Sequence, residues 1–404
     1  MKIVVLKFGG TSVGSIDRIK KVANLIIKYV KKKYKVIVVS SAMSGDTNNL
    51  VNKSKKISNN FSNAEYDVLV SSGEQVACSL IAGTLIDKGY KSRSWMGWQI
   101  PIITDDKHKY SKINQVFKNN IIRYLKSDGI PIITGFQGIN KKNRITTIGR
   151  GGSDSSAIIL AKFFKAERCI IYTDVEGVYT TDPKKLDKAK KIKVISYEEM
   201  LEMASLGAKV MQPVSIQDAR LSRIDIEVKS TFKNKSGTLI TKRKNIINRN
   251  IITGISSTQN DAKVTLVGIK DKPGIAASIF KPLSESSINV DMVVQNISAD
   301  GKETDLTFTI KNDDLNKTKK IINSNKKINY KKLLFDKNVS KVSIIGVGMI
   351  TTPGVTYRMF QALANNKINI QVISTSEIKI SVLIDTKNVN KAISALHKEF
   401  KLES

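Results

Sequence analysis

The sequence predicts an α/β protein in which an open, largely parallel sheet sandwiched by helices is followed by two ferredoxin-like βαββαβ modules. Two observations carry this prediction. Up to about residue 245, apolar strand-like runs alternate with helical runs, which is typical of a parallel sheet covered on both faces. After residue 262, a unit of roughly 80 residues occurs twice, which indicates a duplicated module.

In the first region we predict strands at residues 2–7, 36–40, 100–104, 130–134, 169–173 and 226–229. Helices are predicted from Ser15 onward and at 74–87, 113–126, 155–164 and 197–205. Ligands of such sheets usually bind at the carboxyl ends of the strands. The polar stretch 242–250 then predicts a linker.

In the second region, the strand at 264–269 matches the one at 342–347, and Pro273-Gly274 matches Pro353-Gly354. Each copy continues with a helix, two strands and a last helix, which is the order of a ferredoxin-like module.

The chain has 404 residues, enough for two or three domains with substantial cores. Its 67 Lys and Arg against 35 Asp and Glu give a net charge of +32, which raises nucleic-acid binding as one alternative. The lysines are spread along the chain without an aromatic-interleaved basic stripe, so we expect no nucleic-acid partner. Without an apolar run of 18 residues we also expect no membrane partner, and Cys78 and Cys169 predict buried, reduced thiols in a cytoplasmic protein.

The stretch around Gly9 and Gly10 is the first candidate site. Lys7 ends a strand, and the two glycines precede an amphipathic helix. Such a turn exposes backbone N–H groups beside the positive end of a helix, which predicts an anion site and most often a phosphate site. A tight strand-to-helix turn without a ligand is the alternative.

Two further segments carry charged side chains at predicted helix starts. Arg150 precedes Gly151, Gly152, Ser153 and Asp154, and an arginine there can grip a carboxylate with two parallel hydrogen bonds. Ser153, Asp154 and Ser155 are also good N-cap residues, so helix capping alone is the alternative. In residues 71–75, Glu74 is predicted in a first helical turn, where the helix dipole by itself favours an acid.

The strings Lys-Phe-Gly-Gly-Thr-Ser at 7–12, Ser-Gly-Glu at 72–74 and Arg-Gly-Gly-Ser-Asp at 150–154 together resemble the aspartate kinases of the amino-acid kinase family. The repeated module resembles the ACT domain. The resemblance covers nearly the whole chain and implies a catalytic domain at 1–245, a joining linker or strand at 246–262, and ACT copies at 263–335 and 336–404. It implies transfer of the γ-phosphoryl group of MgATP to the β-carboxylate of L-aspartate, the first step towards lysine, threonine and methionine.

The resemblance also implies roles for individual residues. Lys7, Asp154 and Lys209 would be catalytic, with Asp154 positioning the lysines, and Mg²⁺ would be carried by ATP without a metal site on the protein. The implied ATP-binding residues are Lys7, Phe8, Gly9, Gly10, Thr173, Asp174, Tyr179, Asp182, Lys184 and Lys209. The implied aspartate-binding residues are Ser41, Thr47, Glu74, Arg150, Gly151, Gly152 and Ser153. Gln212-Pro213-Val214 departs from the usual family run after Lys209, which puts the contacts there in doubt.

For the ACT copies, the resemblance implies an effector site for lysine and/or threonine in a homodimer or homotetramer. Asp291 and Asp271 would suit the effector's ammonium group, and loop amides near Gly274 its carboxylate. The implied residues are Asp271, Ala276, Asn289, Asp291, Gln295, Thr356, Asn369, Ile370 and Glu377. The alternatives left open are a kinase of the same fold acting on another carboxylate, phosphate or carbamate, an amino-acid sensor with weak catalysis, and structural modules without a ligand.

Overall fold

A computed structural model describes residues 1–208, 210–242, 250–297, 303–325 and 328–403. These residues form two compact units, which we describe separately. The first unit comprises the described residues of Met1–Val178 and Lys191–Asn248, and the second those of Tyr179–Lys190 and Arg249–Ser404. The domain boundaries read from the sequence stay a prediction, and residues 243–249 of the predicted linker lie outside the described residues.

The strands of the first unit form two sheets. Their bounds are β1 Ile3–Phe8, β2 Lys35–Ser40, β3 Ser92–Trp95, β4 Ile102–Thr104, β5 Ile113–Val116, β6 Ile130–Thr134, β7 Gln137–Ile139, β8 Ile145–Thr147, β9 Arg168–Thr173, β10 Val194–Ser196, β11 Ile226–Ser230 and β12 Thr238–Thr241. The larger sheet has the order β10-β12-β11-β9-β1-β2-β6-β3, and a small sheet has the order β5-β4-β7-β8. In the larger sheet β11 and β12 pair antiparallel and the other pairs are parallel, which confirms the predicted fold class.

Seven helices accompany these sheets among the described residues. They are α1 Ile16–Lys31, α2 Asp46–Ile57, α3 Asn63–Asp87, α4 Asn119–Lys126, α5 Gly152–Phe163, α6 Tyr197–Ser205 and α7 Pro213–Ser222. Side chains of α1 and α3 pack with Val4, Leu6 and Phe8 of β1 in one core cluster. Helix α5 also contacts β1, and all six residues of β1 are buried, so helices cover both faces of this strand.

Three predicted elements need correction. Residues 113–126 do not form one helix, because residues 113–116 pair with β4 as strand β5 and only Asn119–Lys126 is helical. The strand predicted at 100–104 exists as β4 but belongs to the small sheet. The helix predicted at 74–87 begins eleven residues earlier, at Asn63, which moves Glu74 from the first turn to the middle of α3.

Helix α3 is the one described helix that is long and apolar enough to cross a membrane. Half of the span that meets this criterion is buried within the protein, and the helix carries the buried carboxyl groups of Asp67 and Glu74. These features are typical of the core helix of a globular domain. Cys78 of α3 and Cys169 of β9 are free and buried, and burial raises the pKa of both thiols, so neither is activated as a thiolate.

The second unit contains six strands and four α-helices among its described residues. They are β13 Gly254–Lys270, α8 Ile275–Glu285, β14 Asp291–Ile297, β15 Glu303–Lys311, α9 Leu315–Ser324, β16 Lys332–Ile345, α10 Val355–Asn365, β17 Val372–Thr375, β18 Lys379–Asp385 and α11 Val389–Glu399. The strands form one antiparallel sheet of order β14-β15-β13-β16-β18-β17. Both predicted Pro-Gly loops end in a left-handed glycine, Gly274 (φ +87°) and Gly354 (φ +85°), which caps α8 and α10.

The two copies of the repeated module share the long strands β13 and β16. Val264 of β13 is paired with Phe335, whereas Gly254 is paired with Ile345 of the second copy. The segment that precedes the first copy therefore supplies a strand to the sheet of the second. Each copy keeps its own core, one built around Phe308 and the other around Met359.

Candidate active site

A cavity of about 950 Å³ opens in the first unit. It contains all seven predicted aspartate-binding residues and two predicted catalytic residues, namely Ser41, Thr47, Glu74, Arg150, Gly151, Gly152, Ser153, Lys7 and Asp154. Neighbouring strand ends bring these segments together. The Ser41 N–H donates to the Phe8 carbonyl oxygen (3.1 Å), and the Gly135 N–H donates to the Ser40 carbonyl oxygen (3.0 Å). The cavity thus lies at the carboxyl ends of β1, β2 and β6, where a parallel sheet is expected to bind ligands.

A buried ion pair lies in this cavity. Lys7 Nζ is 2.6 Å from Asp154 Oδ1, and both side chains are almost fully buried. Asp154 occupies the first turn of α5, where the helix dipole favours a negative charge. The pair holds the Lys7 ammonium group in one place despite its flexible stem.

The glycine turn lies directly against this ammonium group. A Cβ atom on Gly9 would be 3.4 Å from Lys7 Nζ, and one on Gly10 would be 3.1 Å from the Ala42 carbonyl oxygen. The Gly9 N–H already donates to the Tyr172 carbonyl oxygen (3.2 Å), and Phe8 stacks on the Tyr172 ring. Among the described residues, no protein acceptor pairs with the Gly10 N–H. Of the two amides expected to bind an anion, Gly10 is thus the one that remains available.

Glu74 is buried in the middle of α3 with one carboxyl oxygen unpaired. Its Oε1 accepts a hydrogen bond from the Ala42 N–H (3.1 Å), while Oε2 has no partner among the described residues. Burial raises the pKa of Glu74 to about 8, against the lowering effect of the Ala42 N–H and the Lys7 charge. A first-turn role beside the helix dipole is excluded, because Glu74 lies eleven residues from the start of α3. A buried carboxyl group with an unpaired oxygen and a raised pKa indicates a candidate functional site.

The segment before α5 differs from the capping prediction. Gly151 (φ +77°) is the N-cap, no side chain caps the helix, and Ser153, Asp154 and Ser155 lie within its first turn. A Cβ on Gly151 would be 2.7 Å from Gln212 Cβ, so only glycine fits this close approach. Arg150 lines the cavity, and no carboxylate among the described residues pairs with it.

The predicted nucleotide-binding residues fall in different units. Thr173 ends β9, and its Oγ1 donates to Asp174 Oδ1 (3.0 Å), both in the first unit. Tyr179, Asp182 and Lys184 belong to the second unit, where the Lys184 N–H donates to Asp182 Oδ1 (2.9 Å). Lys209 lies outside the described residues.

The predicted effector residues lie in the second unit, around the start of α8 and β14 in the first copy and around α10 and β17 in the second. Their full set is Asp271, Ala276, Asn289, Asp291, Gln295, Thr356, Asn369, Ile370 and Glu377. Asp291 is paired with the Lys341 ammonium group. Burial works against ionisation, but the hydrogen bond and charge of Lys341 hold the pKa of Asp291 below its usual range.

The two copies of the repeated module contact each other reciprocally. Lys341 of the second copy reaches Asp291 of the first, and Lys263 of the first reaches Gln371 of the second, with Nζ 2.5 Å from Oε1. Lys263 and Lys341 occupy equivalent positions in the repeat, as do Asp291 and Gln371. Both copies have therefore kept a lysine contact to the other copy. The contact of Lys341 with Asp291 is an ion pair, whereas the contact of Lys263 with Gln371 is a hydrogen bond to a neutral amide.

Fifteen residues that line the cavity were not selected as site residues from the sequence, among them Tyr66, Lys109, Phe136 and Gln212. Phe136 follows the end of β6, a position that could have been chosen on the strand-end rule. Gln212 was noticed only as a departure from the family run. Tyr66 and Lys109 carry no local signal, since their place in the cavity depends on contacts between segments that are distant in sequence.

No group of three or more His, Cys, Asp or Glu side chains that could hold a metal ion occurs among the described residues. The cavity instead brings together cations, glycine turns and two carboxyl groups. These are ligands for phosphate, carboxylate and ammonium groups.

Comparisons with known proteins show the family to which this chain belongs. Residues 2–230 match the model of the amino acid kinase family, and residues 264–325 and 342–400 match an ACT domain model. The chain is 44% identical over 406 residues to an aspartate kinase of Stutzerimonas stutzeri, covering all of this chain and 98% of that protein. It is 43% identical over 402 residues to an aspartokinase of Geobacillus stearothermophilus, again covering all of this chain and 98% of the relative.

Two solved structures of E. coli aspartokinase III are similar over almost the whole chain. The complex with aspartate and ADP has a TM-score of 0.79 at 25% identity and covers 98% of this chain and 99% of that one. The complex with lysine and aspartate has a TM-score of 0.81 at 25% identity, and the match covers 99% of this chain and 100% of that one. With the family models matching both regions and relatives matching the full length, this chain is a kinase that belongs to the amino acid kinase family, in its aspartate kinase branch with C-terminal ACT domains.

Proposed function

We propose that this chain transfers the γ-phosphoryl group of MgATP to the β-carboxylate of L-aspartate, giving 4-phospho-L-aspartate and ADP as the first step towards lysine, threonine and methionine. The observation that carries the proposal is one cavity with three kinds of ligand. The Lys7–Asp154 pair suits a phosphate, Arg150 suits a carboxylate, and the unpaired Oε2 of Glu74 suits an ammonium group. An amino acid with a second carboxylate needs this combination. The names of the full-length relatives support the same substrate.

The proposed reaction needs no covalent enzyme intermediate. A β-carboxylate oxygen attacks the γ-phosphorus in line while the bond to the β-phosphate oxygen breaks, and ADP leaves with that electron pair. The attacking carboxylate is already an anion, so no general base is required. Lys7, the free Gly10 amide and Lys209 would neutralise charge on the transferred group, with Mg²⁺ on the nucleotide doing the same. Asp154 holds Lys7 in position.

The proposed aspartate site comprises Glu74 for the ammonium group and Arg150 for a carboxylate, with Ser41, Thr47, Gly151, Gly152 and Ser153 around them. Because burial keeps Glu74 protonated below about pH 8, binding of an ammonium group would release that proton to solvent. For the nucleotide we propose, in addition to Lys7, Gly10 and Lys209, the residues Phe8, Gly9, Thr173, Asp174, Tyr179, Asp182 and Lys184. In this assignment Gly9 allows close approach and does not donate its amide.

An ADP-release assay with different acceptors tests the function. We expect turnover with aspartate and less than about a hundredth of that rate with glutamate or acetylglutamate, because one extra methylene moves the distal carboxylate away from the phosphorus. Preference for another acceptor would instead support a kinase of the same fold with a different substrate. No turnover with any acceptor, with retained aspartate binding, would support an amino-acid sensor.

We further propose feedback inhibition by lysine and/or threonine through the ACT copies of a homodimer or homotetramer. The complex of E. coli aspartokinase III with lysine supports this. We expect saturating lysine plus threonine to raise the aspartate KM or lower the rate by about five- to 150-fold, the range of ordinary allosteric coupling. The initial rate at subsaturating aspartate is the measurement.

The Asp291→Asn variant should lose most of this inhibition while its rate without effector stays unchanged. Asp313→Asn is the matched control, because Asp313 is also an aspartate of the first copy and its side chain only accepts a hydrogen bond from the Asn260 side chain among the described residues. Unchanged rates and aspartate KM in the parent at saturating effector would contradict the regulatory proposal. They would leave the catalytic proposal intact.

A further inference from the structure

Asp67 is a fully buried carboxylate whose hydrogen-bond network none of the roles above explains. Its Oδ1 accepts hydrogen bonds from Thr147 Oγ1 (2.6 Å) and the Lys109 N–H (3.1 Å). Its Oδ2 accepts a second contact from the same Lys109 N–H (3.1 Å) and lies 2.7 Å from His108 Nδ1. Three segments therefore meet at one carboxylate: helix α3, the loop between β4 and β5, and the end of β8.

Asp67 lies seven residues before Glu74 on α3, and both side chains are buried. Because seven residues are close to two helical turns, the two carboxyl groups occupy the same side of the helix. Helix α3 thus connects the proposed ammonium site at Glu74 to the segment that leads from Thr147 to Arg150. It sets the spacing between the two ends of the substrate site.

Lys109 is held in a strained conformation by this network. Its φ of +68° lies in the left-handed region, which a residue with a side chain rarely adopts. The bifurcated hydrogen bond from its N–H to Asp67 stabilises the conformation. Backbone strain of this kind tends to occur where function requires a particular placement.

The side chain of Lys109 lines the same cavity as Lys7 and Arg150. Its Nζ lies 4.4 Å from the centre of the Tyr66 ring, which holds the ammonium group by a cation–π contact. No carboxylate among the described residues forms an ion pair with it. The Lys109 carbonyl oxygen would be 3.0 Å from a Cβ on Gly149, so its backbone packs against the residue that precedes Arg150.

Arg150 and Lys55 of α2 are the other cavity cations without an ion-pair partner among the described residues, but the Lys55 side chain is exposed and no described contact fixes its position. Lys109 differs because its backbone, its ammonium group and the adjacent loop are all held. A fixed, unpaired cation beside Arg150 is suited to a carboxylate of the substrate.

We propose that Lys109 is a further ligand for a carboxylate of the amino-acid substrate, and that Asp67 is the positioning residue that holds it there. This inference rests on the proposed function. The substrate it concerns is the dicarboxylate and not the nucleotide, because Lys109 packs beside Gly149 and Arg150, while Lys7 and the glycine turn lie on the phosphate side.

The test compares Lys109→Gln and Lys109→Gly with Lys107→Gln in the full chain, measuring aspartate KM, ATP KM and the thermal unfolding midpoint. Lys107 is the matched control, because it is an exposed lysine of the same loop that does not line the cavity. We expect both Lys109 variants to raise aspartate KM about tenfold and to leave ATP KM within twofold. Lys109→Gly should also unfold at a higher temperature than the parent, since glycine adopts φ +68° without strain.

The Asp67→Asn variant tests the positioning role. It should raise aspartate KM as much as Lys109→Gln does. The Asp67→Asn/Lys109→Gln double variant should have an aspartate KM no higher than that of either single variant. Full additivity would overturn the positioning role, and Glu65→Gln, an exposed carboxylate on the same helix, controls for the amide change. If Asp67→Asn does not fold, the two Lys109 variants still decide the ligand role.

An unchanged aspartate KM in both Lys109 variants, or a rise in ATP KM alone, would overturn the inference. Absence of aspartate-dependent ADP release by the parent would instead overturn the proposed function. The two failures are therefore distinguishable in one series of assays.

Discussion

The Lys7→Ala variant is expected to lose 10²–10³ of kcat, about 2.7–4 kcal/mol of transition-state stabilisation, by analogy with removal of one preorganised donor from an enzyme site. Lys7 lies at the end of β1 with its ammonium group 2.6 Å from Asp154 and against the glycine turn. Charge develops on the transferred phosphoryl group in the transition state. A fixed ammonium group in a buried site stabilises that charge more than a mobile one in water would.

The measurement is kcat by ADP release at saturating aspartate and MgATP. Lys2→Ala is the matched control, because Lys2 immediately precedes β1 but is exposed and pairs with Glu167 on the surface. Its kcat should stay within twofold of the parent.

Removing Lys7 leaves the Asp154 carboxylate without its cation, so the variant is also expected to unfold at a lower temperature. The Lys7→Ala/Asp154→Asn double variant separates the two effects. The double variant should recover stability without recovering kcat. The neutral amide that replaces the Asp154 carboxylate leaves no unpaired buried charge, but it supplies no positive charge to the transferred phosphoryl group. A near-parental kcat in Lys7→Ala would remove Lys7 from the mechanism.

The Glu74→Gln variant is expected to raise aspartate KM by about ten- to a hundredfold and leave ATP KM within twofold. The proposed contact is a charge-assisted hydrogen bond between the buried carboxylate and the substrate's ammonium group, worth about 1.5–3 kcal/mol. Glutamine keeps the shape and the hydrogen bond to the Ala42 N–H but lacks the charge. Glu65→Gln, on the same helix and exposed, should change neither KM. An equal rise of both KM values would instead indicate a general distortion of the cavity.

The pH dependence of aspartate KM tests the same carboxyl group. Since the pKa of Glu74 is raised to about 8, the free site is protonated at lower pH and must release a proton to bind an ammonium group. Aspartate KM should therefore fall as pH rises towards 8, by up to about tenfold per unit, and should level off above it. In Glu74→Gln this dependence should disappear.

The same pKa also predicts a stability effect of known sign. The folded protein keeps the Glu74 proton up to about pH 8, whereas the unfolded chain releases it near 4.5, so the folded state binds the extra proton between these values. The free energy of unfolding contributed by this group therefore decreases as pH rises from 4.5 to about 8. The Glu74→Gln variant has no such titrating group. The difference between its thermal unfolding midpoint and that of the parent should therefore shift in favour of the variant as pH rises from 4.5 to about 8. A constant difference would contradict a raised pKa.

Much of the molecule could be predicted from local pattern. The alternation of strands and helices predicted the parallel sheet, because periodicity of two against 3.6 residues is a property of neighbouring residues. The glycine turn after β1, Glu74 and the Arg150–Asp154 segment were found in the same way. Each is a short run whose residue types already indicate a candidate site.

The errors occurred where a distant contact determined the outcome. Residues 113–116 form β5 because β4 offers an edge to pair with, although their sequence also fits the helix that follows. The Gly9 amide is occupied because β9 brings the Tyr172 carbonyl oxygen to it. The start of α3 was missed because residues 63–73 have no clear apolar stripe, since the buried face of the helix carries Asp67 and Ser71 while Val68 is exposed.

The sequence alone determined the family of this protein, its duplicated C-terminal module and the residue types that can bind phosphate, carboxylate and ammonium groups. Only the tertiary structure decided the state of those groups. It paired Lys7 with Asp154, left one buried oxygen of Glu74 unpaired, and held Lys109 in a left-handed conformation over Tyr66. Burial and proximity set charge, pKa and strain, and both arise from chain segments that are far apart in sequence.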